Sequence, residues 1–172
     1  MRVLNITILM FVIALLGCNK NGDNASGNAS SPGQAIAFVT TQDGAPLAIK
    51  TELFDTPAAK EFLSTGKDSY VGNAEAIEKG KKLFQLYSCT QCHGPDARGQ
   101  VGPSLIGPDY RYPKDATNKG MFETAWHGTN GGMGAKGKGL MDPTDPENGL
   151  TPDELLKIIA WIRSHGTETG NS

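Results

Sequence analysis

The sequence has no run of basic residues, no internal repeat and only three cysteines. Because nucleic-acid phosphates require clustered Lys and Arg, the missing basic run and the formal charge of −2 argue against a nucleic-acid partner. A length of 172 residues favours one domain of ordinary size. What the chain does have is 22 glycines and 10 prolines, which predict long loops between few helices.

Long apolar runs are absent except near the first residue. Residues 3–16 form one apolar stretch behind Arg2, shorter than the roughly 18 to 20 residues that span a bilayer. This pattern predicts an export signal over residues 1–17. The stretch ends in LLGC at residues 15–18, which resembles the lipobox of bacterial lipoproteins. That resemblance implies lipid on Cys18 and anchoring to a bacterial membrane; the alternatives are an ordinary signal peptide cleaved further along, or an uncleaved anchor.

The composition changes several times after this signal. Residues 19–33 are mostly Gly, Asn and Ser without an apolar anchor, which predicts a flexible tether. Two short β-prone runs around Asp43-Gly44 predict a small hairpin, and Thr56-Pro57 predicts the start of a short helix. We therefore expect a lipidated N-terminus and tether over residues 18–33, an ordered extension over 34–72, a main domain over 73–168 and a tail over 169–172.

Three helices are predicted in the main domain, and no strand is predicted there. Each begins with a residue that can cap a helix, and each carries apolar residues at helical spacing. The last begins with the capping box Thr151-x-x-Glu154. The predicted helices are AEAIEKGKKLFQLY after Asn73, KGMFETAWH after Asn118, and a strongly apolar one, LLKIIAWIRS. The predicted fold class is accordingly all-α.

The motif Cys89-x-x-Cys92-His93 follows the first of these helices. Two thiols at this spacing can add to the vinyl groups of a haem, and the histidine can then ligate its iron. A thioredoxin-like dithiol expects a βαβ context, which is missing here. A zinc site needs a second cluster of ligands, and a disulfide between these residues would close a very short loop. The sequence therefore predicts a covalently attached haem c.

A haem iron with one histidine ligand has a second axial position, which is either filled or open. The candidates for it are Met121, Met133, Met141, His127 and His165. Met121 has the spacing of a core residue, and Met141 lies in a turn-rich loop. Met133 is flanked by glycines that let the backbone pass close to a flat ring. We expect His93 and Met133 to be the axial ligands, with the two histidines serving as helix-end residues.

Two further groups of residues have candidate roles at a haem. We expect the carbonyl of Pro103 to accept the Nδ1 proton of His93 and fix the ring; the alternative is a plain turn proline. Tyr110, Arg111 and Tyr112 form a polar and aromatic cluster suited to hydrogen bonds with haem propionates, or to a solvated loop.

These motifs together resemble a class I cytochrome c. The resemblance rests on Gly80 and Phe84 in the helix before the cysteines, on Gly102-Pro103, and on Trp161 in the last helix. It implies a few helices around one covalently bound haem, here with an N-terminal extension of a small hairpin and a short helix. It also implies contact between the first and last helices of the main domain through Gly80, Phe84, Ile158 and Trp161. The methionine loop departs from the usual pattern, because Gly134 stands where that fold usually has proline.

Residues 36–166 also resemble a narrower family, cytochrome c-L. The segments that carry this resemblance are DTPAAKEFLSTG, EKGKKLF, CHGPDARGQVGPSL, YPKDATNKGMFET, GGMG and LTPDELLKIIAWIRS. The family implies a periplasmic electron carrier, not an enzyme, which accepts electrons from the pyrroloquinoline quinone of methanol dehydrogenase and passes them to another cytochrome c. The alternatives are a lipoprotein cytochrome that serves a different dehydrogenase or a terminal oxidase, and a haem enzyme or gas sensor with a displaceable ligand.

Overall fold

The computed structural model describes residues 35–166, which are mainly helical. The predicted signal, Cys18, the tether and the tail over 169–172 lie outside the described residues. The elements in chain order are β1 (Phe38–Val39), β2 (Pro46–Leu47), a first 3₁₀ helix (Thr51–Leu53), α1 (Pro57–Thr65), α2 (Ala74–Leu86), α3 (Thr90–His93), a second 3₁₀ helix (Pro113–Ala116), α4 (Asn118–His127) and α5 (Pro152–Arg163). None of the helices within this range has the length and apolar character to cross a membrane.

Side-chain caps fix where most of the helices begin. Asn73 accepts a hydrogen bond from a backbone amide in the first turn of α2, and Thr151 with Glu154 forms the complete capping box of α5. The predicted cap of α4 was wrong by one residue. Thr117 is the cap, and it accepts from Gly120 N. Asn118 is instead buried in the first turn, where its side-chain oxygen accepts a hydrogen bond from Arg163 Nε at 2.9 Å.

Helices α2 and α5 cross in close contact. At the crossing, a Cβ added to Gly80 would lie 1.9 Å from the carbonyl oxygen of Lys157, so only glycine allows this approach. One turn further along α2, the rings of Phe84 and Trp161 are tilted against each other with centroids 4.6 Å apart. Ile158 is 3% exposed in the same core. The predicted contact between these helices is confirmed.

The N-terminal extension shares a core with the main domain. β1 and β2 form the predicted antiparallel hairpin, with Phe38 opposite Leu47. The Phe38 and Phe62 rings both contact the ring of Phe122 in α4, with centroids 5.5 Å and 4.8 Å away. Because these rings are buried together, the extension stabilises the helix that faces the candidate site.

Candidate functional site

A cavity of about 570 Å³ opens beside α3, within the range of small-molecule and cofactor pockets. Its walls come from α3, the loop after it, the second 3₁₀ helix and its approach, α4 and the loop after α4. The lining residues are Ser88, Cys89, Cys92, His93, Val101, Gly102, Pro103, Leu105, Arg111, Tyr112, Asp115, Thr124, Thr129, Gly131, Gly132, Met133, Gly134 and Lys136. The structure thus brings together both cysteines of the motif, its histidine and one of the three candidate methionines.

Cys89 is the residue before α3, and Cys92 lies one turn later within this short helix. Ser88, with φ 58 in the left-handed region, turns the chain between α2 and α3. Cys89 then accepts the backbone hydrogen bond from His93 N at 2.9 Å. Both thiols are free of disulfide bonds, Cys92 is exposed, and burial raises the pKa of the half-buried Cys89 thiol. Two reduced thiols on one wall of a cavity are the arrangement that covalent attachment of a haem requires.

The His93 ring is oriented by the loop that follows α3. Its Nδ1 lies 2.8 Å from the carbonyl oxygen of Pro103, and the residue is only 8% exposed. A carbonyl only accepts, so Nδ1 donates this hydrogen bond, and Nε2 is the ring nitrogen left to face a metal. Gly102 fits closely beneath the ring, where an added Cβ would lie 3.2 Å from His93 Cε1.

The methionine loop is held against the end of α4. Thr129 N donates a hydrogen bond to the carbonyl oxygen of Met133 at 2.8 Å. Gly128, with φ 81, permits this contact, because a Cβ there would lie 2.6 Å from the same oxygen. Met133 is half-buried and lines the cavity.

The other candidates for the second axial position are placed elsewhere or packed differently. Met121 is 4% exposed in the hydrophobic core and lines only the smaller, apolar cavity, which adjoins the main one and shares His93 and Met133 with it. Met141, His127 and His165 line neither cavity. His165 packs its ring against Trp161.

Of the three residues proposed as propionate contacts, two line the cavity and one does not. Arg111 and Tyr112 line the cavity, and hydrogen bonds from Thr129 and Arg111 lower the pKa of Tyr112. Tyr110 does not line it, because its hydroxyl accepts a hydrogen bond from Arg163 Nη1 at 2.8 Å and its ring packs against that guanidinium. Arg163 thus holds Tyr110 outside the cavity lining in this structure, and a contact between Tyr110 and a propionate stays a prediction.

Among the cavity residues to which the sequence analysis assigned no role are Asp115, Thr124 and Lys136. Asp115 is 6% exposed, and its Oδ1 accepts a hydrogen bond from Thr124 Oγ1 at 2.6 Å. Burial raises the pKa of Asp115 to about 6. Asp115 and Thr124 lie within the YPKDATNKGMFET segment, but its pattern gives no sign of which side chains face inward.

The residues of this cavity fit a covalently attached haem. Two thiols, an imidazole with a free Nε2 and a thioether meet there, and apolar residues of the core form its deep end. Gly102 allows the loop after α3 to pack against Cys92 and His93, and Gly128 allows the methionine loop to pack against the end of α4. In the described part of the chain, no cluster of three or more His, Cys, Asp or Glu residues is arranged to hold a metal ion, so the zinc alternative lacks its ligands there.

Comparison with known proteins decides the family. A family model described as Cytochrome c matches residues 77–166, more than half of the chain. This chain belongs to the cytochrome c family. The all-α fold expected from the sequence and the expected cofactor, one covalent haem c, are both confirmed.

The chain is also similar to cytochrome c-L. It is 39% identical to cytochrome c-L of Methylorubrum extorquens over 138 residues, which cover 78% of this chain and 64% of that protein, somewhat less than two thirds. Solved structures of cytochrome c-L from Methylophaga aminisulfidivorans and Hyphomicrobium denitrificans each superpose with a TM-score of 0.63 and cover 75% of this chain. They are 37% and 41% identical, with 80% and 73% of their own chains covered. The resemblance to cytochrome c-L found in the sequence is confirmed.

Proposed function

We propose that this chain is a periplasmic electron carrier that takes single electrons from a pyrroloquinoline-quinone methanol dehydrogenase and passes them to another cytochrome c. The observation that carries the proposal is the similarity to cytochrome c-L, which extends over the extension and the main domain alike. The family resemblance of the YPKDATNKGMFET segment supports the choice of donor. A lipid on Cys18, outside the described residues, would keep the carrier on the periplasmic side of a bacterial membrane.

Four residues of the chain would bind the haem, two through covalent bonds and two through the iron. When bound, the haem provides a one-electron couple between ferric and ferrous iron. Cys89 and Cys92 would hold it covalently, and His93 would ligate the iron through Nε2 while Pro103 fixes the ring. The Met133 sulfur would be the second iron ligand and would favour the reduced state relative to a second histidine. With His93 and Met133 both bound to the iron, no ligand position would be left for a substrate, which would suit a carrier rather than an enzyme.

The open side of the cavity is where a redox partner can approach. Val101 is 81% exposed at the cavity wall, and Cys92, Gly132 and Gly134 are exposed near it. Redox encounters usually use small, short-lived interfaces, so an exposed area of this kind can serve. We propose that the donor contacts this part of the surface.

The donor is tested by mixing the oxidised haem-containing protein with purified methanol dehydrogenase and methanol in a stopped-flow spectrophotometer. We expect rapid reduction that requires methanol. A second quinoprotein dehydrogenase with its own substrate is the matched control and should reduce the protein much more slowly. Slow reduction by methanol dehydrogenase together with rapid reduction by the control enzyme would favour the other carrier function, with a different dehydrogenase as donor.

A further inference from the structure

Asp115 contributes the only carboxyl group among the residues that line the two described cavities. It belongs to the second 3₁₀ helix and is anchored through its backbone, because its carbonyl oxygen accepts a hydrogen bond from Arg163 Nη2 at 2.8 Å. Its amide donates to the carbonyl oxygen of Tyr112 at 2.9 Å. The carboxyl group is therefore fixed in the wall of the haem cavity, and Asp115 is only 6% exposed to solvent.

Two hydroxyl groups connect this carboxyl group to the N-terminal hairpin. Thr124 Oγ1 donates to Asp115 Oδ1 at 2.6 Å, and Thr41 Oγ1 lies 2.8 Å from Thr124 Oγ1. A hydroxyl has one proton, and that of Thr124 is used on Asp115, so Thr41 must be the donor of the second bond. Both hydrogen bonds therefore point toward the carboxyl group and favour its ionised form.

The charged groups around Asp115 divide into cations and one carboxylate. Lys114 of the same 3₁₀ helix and Arg163 of α5 favour the ionised form, whereas Glu123 of α4 opposes it. Lys114 Nζ is 2.7 Å from Glu123, so part of its charge is already compensated. From the other cavity walls come the ionisable side chains of Arg111, Tyr112 and Lys136. Burial outweighs the favourable charges and raises the pKa of Asp115.

We propose that the Asp115 carboxylate takes up a proton from solvent when an electron enters the haem cavity, and releases it when the electron leaves. An added electron is a negative charge in the same cavity, where the dielectric constant is low, and it disfavours the ionised carboxyl group. One electron comes from the donor and up to one proton comes from water, so charge in the cavity is partly balanced. The proposal rests on the electron-carrier function but not on the identity of the donor.

This coupling determines how the midpoint potential of the haem changes with pH. At low pH the Asp115 carboxyl group is protonated in both oxidation states, and at high pH it is ionised in both, so the midpoint potential is constant at either end. Between these limits reduction consumes a proton, and the potential falls as the pH rises. Burial raises the pKa of Asp115 to about 6 in the chain itself, so the titration should extend well to both sides of that pH.

The test is potentiometric titration of the haem-containing protein with chemical mediators across this pH range, in the wild type and in Asp115→Asn. Asparagine retains an oxygen that accepts the hydrogen bond from Thr124 but cannot titrate. We expect the pH-dependent fall in the wild type and its loss in Asp115→Asn. Asp68→Asn is the matched control, because burial raises the pKa of Asp68 to about 7 but this residue lines neither cavity. The control should keep the pH dependence.

A second variant and a second readout keep the test decisive if Asp115→Asn folds poorly. Thr124→Val removes the hydrogen bond that favours the ionised carboxyl group, so the pH at which the potential begins to fall should rise. Infrared difference spectra of reduced minus oxidised protein should show a protonated-carboxyl band that shifts in this variant and disappears in Asp115→Asn. Unchanged pH dependence in both variants would overturn the proposal and assign the proton to another group, such as a haem propionate.

The titration also separates this proposal from the proposed function. Mediators replace the natural donor, so a reversible but pH-independent potential in the wild type overturns the proton coupling alone. A protein that cannot be reduced and reoxidised reversibly with any mediator would contradict the carrier function itself.

Discussion

At the scale of single residues, the two candidate axial ligands are positioned through main-chain groups. The Pro103 carbonyl fixes the ring of His93, and the amide of Thr129 holds the carbonyl of Met133. Gly128 allows the second contact by its positive φ and its missing Cβ. Orientation of this kind survives most side-chain substitutions nearby, so the ligand residues themselves are the informative positions for mutation.

Met133→Ala should leave the iron without its sulfur ligand in the haem-containing protein. The expected result is a change from low-spin to high-spin absorption, carbon monoxide binding to the ferrous state, and a lower midpoint potential, because the thioether favours ferrous iron.

Met121→Ala is the matched control for this substitution. Met121 is a buried core residue, so its truncation should cost about 2 to 5 kcal/mol of unfolding free energy while the low-spin spectrum is retained. A spin-state change in Met121→Ala, with none in Met133→Ala, would show that the wrong methionine was assigned.

At the scale of secondary-structure elements, the crossing of α2 and α5 determines where the cysteine motif lies relative to the rest of the cavity. Helix α2 leads directly into the cysteine motif, and α5 packs behind the cavity through residues such as Leu155 and Ile159. The close approach at Gly80 brings the two backbones together, and the pair of Phe84 and Trp161 fills the space beside it. A change in this crossing should therefore move α3 relative to the rest of the cavity.

Gly80→Ala should destabilise this crossing. The new Cβ would overlap the Lys157 carbonyl oxygen, and backbone atoms cannot move aside as a flexible side chain can. We expect a loss of about 3 kcal/mol in unfolding free energy, at the upper end of typical overpacking costs, measured by denaturant titration of the haem-containing protein.

Gln85→Ala is the control for the overpacking at Gly80, because Gln85 is exposed on the same helix. It should change stability by less than about 0.5 kcal/mol. Equal stability of the two variants would contradict the close packing of α2 against α5.

At the scale of the whole molecule, the extension and the cytochrome domain form one structure. The phenylalanines of the extension pack on α4, and Val39 N donates a hydrogen bond to Glu123 at 2.8 Å. The loop that carries Met133 also contacts the hairpin, because Asn130 Nδ2 donates to the carbonyl oxygen of Gln42 at 3.1 Å. The extension thus supports two walls of the cavity.

The sequence was sufficient for local features but not for most long-range contacts. Caps such as Thr56 and Asn73 and the cysteine motif are local patterns, and they predicted the helices and the attachment site. The inward position of Asp115 and the pairing of Tyr110 with Arg163 depend on residues about 50 positions apart, which no local pattern encodes. The cap of α4 was missed because Thr117 and Asn118 are both good capping residues, and only the burial of Asn118 against α5 separates them.

The central claim, that this protein relays electrons from methanol dehydrogenase to a second cytochrome c, is tested most directly by a steady-state assay of all three proteins. Methanol dehydrogenase, methanol and an excess of an oxidised soluble cytochrome c are mixed with catalytic amounts of the haem-containing protein. The account predicts that reduction of the soluble cytochrome c is slow without this protein and rises in proportion to its concentration. A rate that is the same with and without it would contradict the proposed relay.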